Sequence, residues 1–210
     1  MLATKTRDLD SAPVIVGIGG TTRLASTSER ALSRALQLAE TLGARTIAVT
    51  GPALPSAIYD PARLERSAEA ARLVGLLRSA DGVIISSPSY HGSISGHLKN
   101  ALDFTEDMRG DERPYFEGRS VGLICCAMGP QAGGATLGAM RSIVHALRGW
   151  PTPMGVLINS TATGFEADNR CTDAVADGQI RIMTAQVVEF AAMMAVARRR
   201  SASALALAAR

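Results

Sequence analysis

V-I-I-S-S-P-S-Y-H-G-S-I-S-G-H-L-K-N-A-L-D-F occupies residues 83–104. Its opening is an apolar, β-branched run that predicts a strand over 83–87. Pro88 sets a turn and Gly92 permits close backbone approach, so 88–93 reads as a loop. Leu98, Ala101, Leu102 and Thr105 then recur at helical offsets, which predicts a helix over 94–108. A short apolar strand feeding a loop and then an amphipathic helix is half of a βαβ unit.

The same alternation continues on both sides. Upstream, VIVGI (14–18) and TIAVT (46–50) predict strands, each followed by a helix, over 28–42 and 62–78, with a proline-punctuated loop at 51–61. Downstream, SVGLICC (120–126) and a weaker run at 153–158 predict two more strands, with helices over 136–147 and 174–200. A loop is expected over 127–134 and a long polar one over 159–172. Strands that alternate with helices and read as continuous apolar runs belong in a parallel sheet covered on both faces. The expected fold class is therefore α/β, a three-layer doubly wound domain on a five-stranded parallel sheet. At 210 residues one such domain is expected over 13–197, with an N-terminal extension at 1–12 and a basic Ser/Ala-rich tail, prone to fray, at 198–210.

Composition narrows the function. A hydrophobic fraction of 47% with 20% charged residues excludes a disordered chain. The most apolar stretch, around 187–196, is preceded by Gln186 and broken by Glu189, and the N-terminus lacks an apolar signal core, so no membrane partner and no secretion are expected. The net charge of +3 is a property of the tail, because Arg198, Arg199, Arg200 and Arg210 lie there and without them the balance is −1. A nucleic-acid partner, which needs a basic stripe on the fold itself, is not expected. Three cysteines without a C-x-x-C spacing point to free thiols in a reducing, cytoplasmic setting and to no zinc site. Cys125 and Cys126 are neighbours on a strand and so should point to opposite faces. His91, His97 and His145 lack metal-ligand spacing, so no metal is expected, and the absence of G-x-S-x-G leaves a hydrolase elbow unsupported.

Ligands of open α/β sheets bind beyond the carboxyl ends of the strands. The first loop, G-I-G-G-T-T-R-L-A-S-T-S-E-R (17–30), partly fits the dinucleotide fingerprint, but Thr22 stands where its third glycine belongs, and no acid ends the second strand. What remains is Thr21, Thr22, Arg23, Ser26, Thr27 and Ser28 running into a helix N-terminus. Capping by Ser26 or Ser28 needs only one of these. The surplus of hydroxyls with one guanidinium suits a terminal phosphate monoester. In the second loop Tyr90 offers a flat face, and the third, A-M-G-P-Q-A-G-G (127–134), offers bare backbone.

Together these loops resemble the NADPH-dependent FMN reductases of the flavodoxin-like superfamily. S-P-S-Y-H-G-S-I-S-G-H-L-K-N-A-L-D-F (87–104) is similar to that family's T/S-P-x-Y-N-G-S-x-P-G-x-L-K-N-A-L-D-W, and G-T-T-R-L-A-S (20–26) is similar to its G-S-x-R-x-x-S phosphate loop. L-P-S-A-I-Y-D-P (54–61) also resembles the family. The resemblance implies a flavodoxin-like strand order 2-1-3-4-5 and an FMN site. Thr21, Thr22, Arg23, Ser26, Thr27 and Ser28 would hold the phosphate. Pro88, Ser89, Tyr90, His91, Gly92 and Ser93 would line the flavin ring, and Met128, Gly129, Gly133 and Gly134 its other edge. Thr21 keeps the hydroxyl of the usual Ser, whereas His91 replaces the common Asn.

The implied activity is hydride transfer from NADPH or NADH to FMN, then delivery of two electrons to a flavin, quinone, azo compound or partner monooxygenase. The flavin carries the hydride, so no catalytic side chain is expected. A homodimer or tetramer is expected, with Leu98, Leu102 and Phe104 turned toward the second copy. The alternatives are a flavodoxin-like electron carrier and a flavin-binding sensor without turnover.

Overall fold

The computed structural model describes residues 12–208. The elements run β1 (Val14–Gly19), α1 (Thr27–Thr41), β2 (Arg45–Val49), α2 (Ala68–Ser79), β3 (Gly82–Tyr90), β4 (Ser93–Ile94), α3 (Gly96–Asp103), β5 (Ser120–Ala127), α4 (Pro130–Ala146), β6 (Trp150–Asn159) and α5 (Ala174–Ala208). Five strands pair in parallel in the order β2-β1-β3-β5-β6, which is the expected 2-1-3-4-5 among the parallel strands. The small β4 pairs antiparallel with the end of β3.

Alternation along the central strands builds two cores. Val16, Ile18, Val83, Ile85, Val121, Leu123 and Cys125 point to the face covered by α2, α3 and α4. Ile15, Ile84, Ile124 and Cys126 point to the face covered by α1 and α5. The two adjacent cysteines thus face opposite ways, and all three cysteines are free and buried. Gly122 leaves room for α5 against the sheet: a Cβ there would stand 2.1 Å from Met183 Sδ.

Helix α5 is long and apolar enough to cross a membrane by length and composition. Its Ala176, Ile180, Met183, Val187, Val188 and Ala191 are buried against the sheet. Asp177 on α5 accepts Arg34 Nε of α1 at 2.8 Å and Arg181 Nε at 2.8 Å, which ties the two helices of that face together. On the other side of the sheet the buried Arg119 donates to the carbonyls of Arg78, Ala80, Tyr115 and Glu117. Burial and the nearby Arg113 and Arg198 push its guanidinium down to about 10.

Several boundaries differ from the sequence reading. Helix α2 starts at Ala68 because Ser67 caps it, accepting from Ala70 N. Residues 62–67 stay irregular, and Arg66 there pairs with Asp107 at 2.7 Å. Helix α3 starts after Ser95, and a 3-10 turn, Phe104–Met108, replaces its expected last turns. Helix α4 starts six residues earlier than expected, at Pro130. Strand β6 is longer than 153–158 and carries Pro151 and Pro153, as an edge strand can. Helix α5 runs through the expected frayed tail as far as Ala208. The N-terminal extension lies outside the described residues, apart from Ala12.

Leu98, Leu102 and Phe104 are not turned toward a second copy. They are 0%, 4% and 4% exposed within this chain, and Phe104 meets Tyr59 edge-on with ring centroids 5.2 Å apart. Met193 on α5 is exposed.

Candidate FMN site

A cleft of about 530 Å³ opens at the carboxyl ends of β1, β3 and β5, where the strand order reverses. This is the position that open α/β sheets use for ligands. Its lining includes Thr21, Arg23, Ser26, Thr27 and Ser28 from the first loop and the start of α1. Pro88, Ser89, Tyr90, His91 and Gly92 line it from the second loop, and Met128 and Gly129 from the third.

At the α1 end, Ser26 caps the helix: its hydroxyl accepts from Glu29 N at 3.3 Å and pairs with Ser28 Oγ at 3.2 Å. Thr21 Oγ1 accepts from Arg23 N at 3.1 Å, which curls the loop. Glu29, the one acid of the first turn, accepts from the Ala25 backbone N–H and from Thr50 Oγ1. Among the described residues the cleft lining contains no carboxylate, and it includes Arg23 and the residues at the head of α1, whose first amide groups lack helical partners. That charge balance fits a phosphate dianion.

The two glycines of the partial dinucleotide fingerprint serve packing instead. Both lie within β1; a Cβ on Gly17 would meet Leu36 Cδ1 at 2.8 Å, and one on Gly19 would meet Thr50 Cγ2 at 2.8 Å.

The second loop is a hairpin that sequence reasoning missed. Ser89 pairs with Ile94 and Tyr90 with Ser93, leaving His91 and Gly92 as a two-residue turn with φ of 53° and 77°. Two positive φ values define a type I′ turn, in which Asn-Gly is the favoured pair. His91 therefore occupies a left-handed position that tolerates Asn and His better than most side chains. The turn projects beyond the end of β3 and places Tyr90 and His91 on the cleft wall.

Four predicted residues do not line the cleft. Thr22 and Ser93 are exposed beside it. Gly133 and Gly134 belong to α4, because Pro130 starts the helix where a loop was expected, with Gly129 as its cap. Gly133 lies instead where α4 meets β6: a Cβ there would stand 2.1 Å from Leu157 Cδ1. Cys126, Ala127, Ala132 and Ser160 line the cleft and were missed. The signal for Cys126 and Ala127 was their position at the end of a central strand. Burial pushes the Cys126 thiol strongly up, so it stays protonated and is no nucleophile.

The K-N-A-L-D-F segment supports the site from behind. Asn100 Nδ2 donates to the carbonyls of Pro55 and Ala57 at 3.3 and 2.9 Å, and its Oδ1 accepts from Tyr59 N at 2.8 Å. The asparagine clamps the loop after β2 rather than touching the cleft.

This sheet order, with an open cleft at its switch point, defines a flavodoxin-like α/β fold. The model of the NADPH-dependent FMN reductase family matches residues 13–164, and the chain belongs to that family. It is 32% identical over 114 residues to the FMN-dependent NADPH-azoreductase of Staphylococcus aureus, covering 53% of this chain and 57% of that one. It is 29% identical over 103 residues to the NADPH azoreductase of Bacillus sp. (strain OY1-2), covering 49% of this chain and 54% of that one. The chain thus spans about half the length of these curated relatives. Among solved structures it resembles the flavoenzyme NAD(P)H:(acceptor) oxidoreductase from Paracoccus denitrificans, with a TM-score of 0.70 and 18% identity over 86% of this chain and 97% of that one. At that identity the likeness shows the fold alone.

Proposed function

We propose that the protein is an FMN-dependent NAD(P)H oxidoreductase that passes two electrons to a small acceptor such as a quinone, an azo compound or a free flavin. The observation that carries this reading is the cleft itself. It joins an anion-accepting end, Arg23 and the head of α1, to a flat-walled end, Tyr90, His91, Gly92, Met128 and Gly129, with no carboxylate among the described residues that line it.

A bound FMN would supply two-electron chemistry between the nicotinamide nucleotide and the acceptor. The chain's part is position and electrostatics. Arg23, the hydroxyls of Thr21, Ser26, Thr27 and Ser28, and the α1 amides hold the phosphate. The 88–92 segment and the Met128–Gly129 backbone hold the ring. Tyr90 and Met128 stand 55% and 78% exposed at the rim, a surface for a second planar molecule.

Further parts of the reading are a reducing, cytoplasmic location, supported by three free buried thiols, and supply of reduced flavin to a monooxygenase as one use of the electrons. Self-association as a homodimer or tetramer draws support from Ile58 and Leu64, apolar and 81% and 91% exposed on the loop after β2. The test is steady-state oxidation of NADPH and NADH by FMN-loaded protein against a panel of quinone, azo dye and free FMN. Acceptor-dependent nucleotide consumption is expected. Its absence with every acceptor would favour an electron carrier or a flavin-binding sensor.

A further inference from the structure

We infer that His91 is the proton donor to the electron acceptor, an imidazole held over the cleft by the left-handed turn of the β3–β4 hairpin. The inference rests on the function proposed above and deepens it.

Reduction of an azo bond or a quinone by NADPH takes one hydride and one further proton: NADPH + H⁺ + acceptor gives NADP⁺ and the doubly reduced, doubly protonated acceptor. The nicotinamide supplies the hydride, by way of the cofactor, and the further proton comes faster from a positioned side chain than from water reaching the open cleft. Few side chains of the cleft are able to do so. Its titratable lining residues are Arg23 on the loop after β1, Tyr90 on β3, His91 in the turn and Cys126 on β5. The facing segments of α1, α4 and the end of β6 contribute only Thr27, Ser28, Ala132 and Ser160. An arginine does not release its proton in a protein, a phenol is a weak acid at neutral pH, and burial holds the Cys126 proton tightly. An imidazole is the lining side chain that serves as a general acid.

The geometry supplies reach and turnover. His91 lines the cleft yet is exposed, so the neutral imidazole left after each transfer regains its proton from water. Its backbone is fixed independently of its ring, by the Ser89–Ile94 and Tyr90–Ser93 pairing and by Gly92 at φ 77°. Asn or Gly accepts the same left-handed backbone. The turn therefore does not require histidine, and the imidazole is free to serve the site.

The test compares wild type, His91→Asn and His91→Gly, each saturated with FMN. Anaerobic reduction by NADPH and reoxidation by the azo dye methyl red are followed as separate steps. The expected result is a loss in reoxidation on the order of a hundredfold beyond any change in reduction, loss of the wild-type pH dependence of reoxidation, and recovery in His91→Gly when free imidazole is added. A readout independent of turnover is the pH titration of the His91 ring signal by NMR in oxidised, FMN-loaded protein, whose midpoint should move when methyl red is added. Reoxidation that keeps its rate and pH profile in both variants, or a midpoint unmoved by the dye, would overturn the assignment. Failure of NADPH to reduce the bound flavin in the wild type would instead refute the function on which the assignment rests.

Discussion

The hydroxyl of Ser95 donates to the carbonyl of Gly20 while accepting the backbone N–H of Leu98 at 3.1 Å. One side chain thus caps α3 and pins the start of the phosphate loop, and the Ser95 backbone N–H also donates to Ser87 Oγ at 3.2 Å. The two ends of the cleft are linked through a residue 2% exposed that touches neither.

Replacing Ser95 by Ala should therefore cost stability and cofactor affinity together. Loss of the cap and of the partner of a buried carbonyl amounts to about 2 kcal/mol. Urea unfolding of the apoprotein and FMN titration check this. An unaltered FMN Kd alongside the stability loss would show that the loop holds its shape without the bond.

Arg23→Ala should weaken FMN about ten- to a hundredfold, the worth of a charge-assisted bond. Riboflavin, which lacks the phosphate, should bind the variant as it binds wild type. FAD should bind wild type less well than FMN, because the head of α1 closes on a terminal phosphate. Fluorescence titration with the three flavins measures all of this; equal losses for FMN and riboflavin would assign Arg23 to the fold.

Asp177 gives a pH dependence with a definite sign. Its hydrogen bond from Arg34, joined by Arg181, holds its carboxyl down to about 2 against burial. A carboxylate whose folded value lies below its unfolded one stabilises the fold above the unfolded value of about 4, and loses that contribution as pH falls toward 2. The contribution at neutral pH is roughly 2 kcal/mol. Unfolding measured at pH 6 and pH 3 should show a steeper acid loss in wild type than in Asp177→Asn. Parallel losses would mean that the α1–α5 tie carries no linked protonation.

The sheet was legible in the sequence because each central strand is an uninterrupted apolar run and each connection is helical. The phosphate loop was legible because its hydroxyls exceed what capping needs. Elements governed by a single residue were harder to read. Pro130 starts α4, and Pro at a first helical position is a start signal, yet Gly129, Gly133 and Gly134 made the segment look like a loop. The β3–β4 hairpin hid behind His91, which replaces the Asn that announces a type I′ turn. Phe104 was assigned to a second copy because helical spacing shows which residues share a face and not what covers it; Tyr59, brought in by the loop that Asn100 clamps, covers it here. Arg198 was counted among the tail's charges, but α5 continues past it and its guanidinium pairs with Asp81, far along the chain just before β3.

Anaerobic mixing of FMN-loaded protein with NADPH, followed by flavin absorbance near 450 nm, reads out whether this cleft holds FMN and passes it hydride from a nicotinamide nucleotide. The yellow absorbance should bleach with one NADPH consumed per FMN, and Arg23→Ala should need more FMN to reach the same amplitude. Protein that binds FMN one to one but keeps its full absorbance with excess NADPH and with excess NADH would refute this reading of the cleft.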